Sequence, residues 1–155
     1  APELFISQYI EGGSYNKVIE LYNPTTADID LSMYSLTENH GNYTNVLELT
    51  GTLAAGAAYV VCHEDVSTDI VADCDLLTPG TVPNFNGDDV LKLLKDGVII
   101  DSIGWTSLAG GDDFVKDMTL IRNDDVMHGT KYFNMDEWTK FAKDTLTDVG
   151  VHTIN

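Results

Sequence analysis

Basic residues are scarce in this chain: eight Lys and Arg stand against 25 Asp and Glu, a formal net charge of −17. Proteins that hold nucleic acid do so with lysines and arginines that displace counterions from phosphate, and no basic run is present to supply them. Polyanions and anionic lipid surfaces are repelled within a Debye length unless a divalent cation bridges the two. No direct nucleic-acid binding is therefore expected. Long apolar runs are also missing, and none approaches the ~20 residues that span a bilayer, so no transmembrane segment is expected. The chain opens Ala-Pro-Glu-Leu, without the charged start and apolar stretch of an export signal. The expectation is a domain whose signal has been removed or that was excised from a larger exported protein.

Chemical motifs are equally sparse. There is no Gly-x-Ser-x-Gly elbow and no glycine-rich phosphate loop opening a helix. His40, His63, His128 and His152 are scattered, and none stands at metal-ligand spacing from another His or Cys except the neighbours Cys62 and His63, which a strand points to opposite faces. No zinc site is readable. Only two cysteines occur, Cys62 and Cys74. The pair suits one disulfide in an exported protein, stabilising by about 3 kcal/mol through loop closure, with two buried thiols as the alternative. Internal repeats, low-complexity tracts and linkers are absent.

What the sequence does contain is short strand signals. At 43% hydrophobic, 155 residues suffice for one domain, residues 1–155, with a core that needs no metal or disulfide to close. Residues 84–104 anchor the reading, because Asp96-Gly97 between two apolar runs is a strong hairpin signal. A two-residue turn there predicts that Leu94 faces Ile99, Leu93 faces Ile100, Lys92 faces Asp101 and Leu91 faces Ser102. Leu91, Leu93 and Ile100 then share a core face, while Lys92 and Asp101 form a cross-strand pair worth a few tenths of a kcal/mol.

Further strands are expected over residues 4–10, 17–22, 29–31, 34–37, 46–49, 57–62 and 118–122, separated by Gly, Pro and Asn turns. Residues 38–44 read as a polar loop. Ser67 is a candidate cap for one or two helical turns between the cysteines, and Asn134 with Glu137 resembles a capping box. Short strands at regular spacing point to an all-β fold, a β-sandwich with long loops and at most short helices.

Candidate sites are few. Asp88 and Asp89 follow Asn86-Gly87, and clustered carboxylates suit Ca²⁺; the competing reading is that Asn and Asp side chains close the turn onto nearby amides. Asp112, Asp113 and Asp117 form a second acidic group of the same kind. Neither fits an EF-hand loop. Glu20, on an otherwise apolar strand, needs hydrogen bonds if buried and is expected to tie down loop amides. Trp105, Phe114, Phe133, Trp138 and Phe141 offer a ligand platform or, by default, core. Asn42-Tyr43-Thr44 matches a glycosylation sequon, read as a loop accident. Chance carboxylate pairs carry no glycosidase argument in so acidic a chain.

Five segments taken together resemble a known family. Residues 4–12 (LFISQYIEG), 17–25 (KVIELYNPT), 29–36 (IDLSMYSL), 51–56 (GTLAAG) and 84–93 (NFNGDDVLKL) resemble, in that order, the bacterial form of the lamin-tail domain, and Glu137-Trp138 with residues 150–153 is similar to its close. The resemblance implies an immunoglobulin-like β-sandwich in a secreted or cell-surface protein. The strand carrying Cys62 is most similar to versions attached to extracellular nucleases. The family offers no catalytic residues to carry over, which implies a non-catalytic binding or scaffolding module. Its expected partners are other domains of the parent chain or a cell-surface component, and no cofactor is implied. The alternative is an accessory part of a metal-dependent extracellular phosphoesterase or nuclease, contributing a divalent-cation site.

Overall fold

The computed structural model describes residues 1–40, 43–85, 89–104 and 115–155. Twelve strands appear among them: β1 (Phe5–Glu11), β2 (Lys17–Tyr22), β3 (Ile29–Asp30), β4 (Tyr34–His40), β5 (Tyr43–Glu48), β6 (Thr52–Leu53), β7 (Ala58–His63), β8 (Leu76–Thr78), β9 (Val90–Lys95), β10 (Val98–Ile103), β11 (Met118–Arg122) and β12 (Trp138–Ala142). They form a six-stranded sheet in the order β12-β11-β1-β2-β7-β8, a four-stranded sheet β10-β9-β4-β5, and a small β3-β6 pair.

The alternation of side chains builds the core. Ile6, Ile19, Val61 and Leu120 of the large sheet meet Leu36, Leu91, Leu93 and Ile103 of the small one, all essentially without solvent exposure. Each such side chain contributes roughly 1.5–3 kcal/mol on burial. The opposite face of the large sheet is covered as well, so β1 is buried along its whole length. There Ile10, Val18, Val60 and Cys62 pack against Val66 and Ile70 from the 64–75 connection and Val149 from the C-terminal segment.

That 64–75 connection exists because β8 runs parallel to β7, and a parallel neighbour requires a crossover of about a dozen residues. Cys62 and Cys74 are joined by a disulfide, which pins the crossover to the outer face of β7. Of the two readings open in the sequence, the bonded pair is the one realised. Expected helical turns reduce to short 3-10 turns: Val71–Asp73, and Met135–Glu137 where the Asn134 side chain accepts the Asp136 N–H.

Asp96 (φ 49°) and Gly97 (φ 80°) form the expected hairpin turn, and Leu91 and Leu93 are buried as predicted. The register is not the predicted one. Beyond Ile99↔Leu94 a bulge takes up one extra residue, so Asp101 lies opposite Leu93, Ser102 opposite Lys92 and Ile103 opposite Leu91. The expected Lys92–Asp101 pair does not form, and Ile100, at the bulge, is only partly buried where it packs against the core. An extra residue flips every later side chain of β10. Asp101 thereby turns from solvent into the core, where Arg122 and three backbone N–H groups replace a surface lysine.

Other expectations also shift. Residues 38–40 and 43–44, read as loop, are strand, pairing Asn39↔Thr44 and His40↔Tyr43. Polarity misled here, because these positions line the open end of the sandwich. β6, β8 and β12 have no counterpart among the expected strands. Phe133 and Trp138 join the core, whereas Phe141 remains 38% exposed on β12. Trp105 and Phe114 lie outside the described residues.

Candidate binding surface

Leu36, Glu38 and His40 share the inner face of β4, two residues apart, and run from apolar core to the open end of the sandwich. Glu38 is fully buried. Its carboxylate accepts the Asn84 N–H at 2.9 and 3.2 Å and lies 2.9 Å from His40 Nε2. The other ring nitrogen, Nδ1, stands 3.2 Å from Asp89 Oδ2. Both contacts are hydrogen bonds only if the ring is protonated, since a neutral imidazole carries one N–H and carboxylates only accept. Tyr43 stacks on the same ring at 5.2 Å. Burial raises the Glu38 pKa, against the pull of His40 and the Asn84 amide.

Phe85 is held from the large sheet. Its carbonyl accepts from Lys17 Nζ, and its ring packs 4.4 Å from that of Tyr9. Lys17 also pairs with Glu11 at 3.4 Å, and Glu11 Oε2 accepts the Asp117 N–H. The loop entering β9 is thus fastened by both sheets. Of the five candidate cation ligands, Asp89 and Asp117 lie among the described residues, Asp89 facing His40 and Asp117 standing 3.4 Å from Lys143 Nζ; Asp88, Asp112 and Asp113 lie outside them. Among the described residues, no group of three or more His, Cys, Asp or Glu is arranged to hold a metal ion.

Glu20 does what its place in the sequence implied. Its carboxylate takes Ser7 Oγ and the Gly150 N–H, each at 2.7 Å, and so ties the C-terminal segment to the outer face of the large sheet. Burial dominates these bonds and pushes its pKa up to about 7. Nearby, His152 packs edge-on against Phe5 and Tyr22, and burial, with the Arg122 charge, pulls its pKa down to about 4. A shallow groove of about 390 Å³ runs beside it, lined by Arg122, Asp124, Phe141, Asp148 and His152 among others.

Arg122 itself is buried, stacked 4.3 Å over Trp138, and clasps Asp101 through Nη2 at 2.7 and 2.8 Å. Asp101 further accepts the N–H groups of Ile6, Ser102 and Thr130. Neither this pair nor the His40 cluster was readable from sequence spacing. The one usable signal was Glu38-x-His40 on alternate strand positions, which the loop assignment hid.

Two sheets packed face to face, with short 3-10 turns and no α-helix among the described residues, define an immunoglobulin-like β-sandwich module. Residues 1–107 match the Lamin Tail Domain family, and the chain belongs to it. No curated protein matches the sequence. Among the described residues no helix is long and apolar enough to cross a membrane.

Proposed function

We propose that this chain is a non-catalytic binding or scaffolding module of an exported bacterial protein, positioning or tethering a partner domain such as a nuclease. The supporting observation is where the ionisable side chains go. Glu20, Glu38, Asp101 and Arg122 are buried and bonded into the scaffold, each joining segments distant in sequence. Groups fixed in this way hold a rigid surface together, and the Ser7 hydroxyl that meets Glu20 is as fully buried as the carboxylate, out of reach of a substrate. The disulfide fits an oxidising compartment. The module extends over all 155 residues, since β11 lies between β1 and β12 and so brings residues beyond 107 into the large sheet.

Calorimetric titration with Ca²⁺ or Mg²⁺, alongside nuclease and phosphatase assays, tests this reading. The expected result is no turnover with or without metal. Metal-dependent turnover that Asp89→Asn abolishes would replace it with the accessory cation-site reading.

A further inference from the structure

The small sheet ends in β5, which pairs with β4 and has no neighbour on its other side among the described residues. Which backbone groups face that open side follows from one bond. The Leu49 N–H donates to the Tyr34 carbonyl at 3.1 Å, and hydrogen-bonded pairs alternate along an antiparallel ladder. Leu47, Asn45 and Tyr43 therefore bond to β4, and Thr44, Val46 and Glu48 direct their N–H and C=O groups outward. Among the described residues nothing bonds to those outward groups.

The other edges are protected and this one is not. β12 places Lys140 at its centre, and the Ala142 carbonyl is taken by the Thr145 N–H and hydroxyl. Central lysines on an edge discourage added strands. β8 has only three residues. β10 is fastened to residues 130–131 through Ser102 Oγ to Lys131 O and the Thr130 N–H to Asp101. β5 has six residues with no Lys, no Pro and an unbroken register, and Tyr43 and Val46 are 60% and 55% exposed.

We propose that the free edge of β5 accepts an extended segment of a partner polypeptide as an added strand, one that sets two β-branched residues and a lysine or arginine at alternate positions, on one face. Main-chain bonds to Thr44, Val46 and Glu48 supply the attachment, as in strand addition generally. Val46 and Thr44 favour β-branched neighbours, and Glu48 favours a cation across from it. A second copy of the chain is the poorer occupant, because pairing would bring one net charge of −17 against another. The inference rests on the module reading and names the surface such a module would use.

The test is amide exchange and chemical shift on the ¹⁵N-labelled chain with the capped hexapeptide Lys-Thr-Val-Thr-Val-Thr, which carries Lys, Val and Val on one face. Expected are at least tenfold slower exchange at the amides of Thr44, Val46 and Glu48 at saturation, with Asn45 and Leu47 unchanged because they already bond to β4. Binding should weaken at least tenfold with Val46→Lys, and with a peptide carrying Glu in place of Lys. A peptide N-methylated at alternate residues should not protect these amides. Equal binding of the N-methylated peptide would reduce the effect to general charge attraction and overturn the proposal, as would no protection at millimolar peptide. Self-association in sedimentation that Val46→Lys abolishes would assign the edge to a second copy instead. Failure here leaves the absence of turnover, the test of the module reading, unaffected.

Discussion

Arg122 and Asp101 form a two-pronged ion pair across the sandwich, joining β11 of the large sheet to β10 of the small one with both side chains almost wholly buried. Removing one partner leaves the other charged and unpaired, which costs about 3–5 kcal/mol, whereas replacing both with apolar residues costs far less. Urea unfolding of Asp101→Leu, Arg122→Met and the double variant should therefore show strong non-additivity, with the double variant more stable than either single one. Additive losses would show that the two side chains act independently.

Gly129 is pressed against the same carboxylate. A Cβ there would come within 2.4 Å of Asp101 Cβ and 2.3 Å of its Cγ. Gly129→Ala should therefore displace Asp101 and cost several kcal/mol, about the range of losing the pair. Thermal unfolding checks this, and Asp101→Gly in the same chain should relieve part of the added loss.

Glu20 makes stability depend on pH in an unusual direction. Its folded pKa of about 7 lies above the ordinary 4.5, so the fold favours the protonated form. Its stabilising contribution is present below pH 4.5 and is lost as pH rises through about 7, a change on the order of 3 kcal/mol. Glu20→Gln should remove that decline and raise stability at pH 8. A pH profile unchanged by the substitution would contradict the assignment.

His152 acts in the opposite sense. Its folded pKa of about 4 lies below the ordinary 6.5, so protonation opposes the fold. Stability from this group is full above pH 6.5 and is lost as pH falls through about 4. The ring is only half-buried, and after solvent screening the effect is about 1–2 kcal/mol. His152→Phe should flatten the acid limb of the urea midpoint plotted against pH, and protection of the Gly150 amide relative to its intrinsic exchange rate should fall on acidification in the parent chain but less in the variant.

The disulfide closes a short loop and fastens the crossover to β7. Unreduced protein should weigh two hydrogens less than reduced protein, and Cys62→Ala with Cys74→Ala should cost about 3 kcal/mol. Exchange should quicken first in β8, which only three paired residues hold to β7.

Much of the fold was legible in the chain because it is locally written. Asp96-Gly97 sets a turn, alternation of apolar residues marks Lys17–Tyr22 at its observed bounds, and Glu20 stands out because a carboxylate on an apolar strand needs partners. Local rules failed where a second segment decided the outcome. The β10 bulge cannot be seen in its own residues; it follows from Asp101 reaching Arg122 and the Ile6 and Thr130 amides, all distant in sequence. Glu38 and His40 looked like loop because their polarity is satisfied by Asn84 and Asp89, some fifty residues on.

Side-chain alternation, turn chemistry and composition by themselves determined that this protein is an acidic all-β sandwich with a central hairpin and one pair of cysteines. Only the tertiary structure decided which carboxylates are buried, which faces the 64–75 and C-terminal segments cover, and which edge is left open. The reason is physical: a turn or a strand face is set by neighbours within a few residues, whereas the cost of burying a charge or leaving a backbone edge unpaired depends on what the rest of the chain brings alongside it.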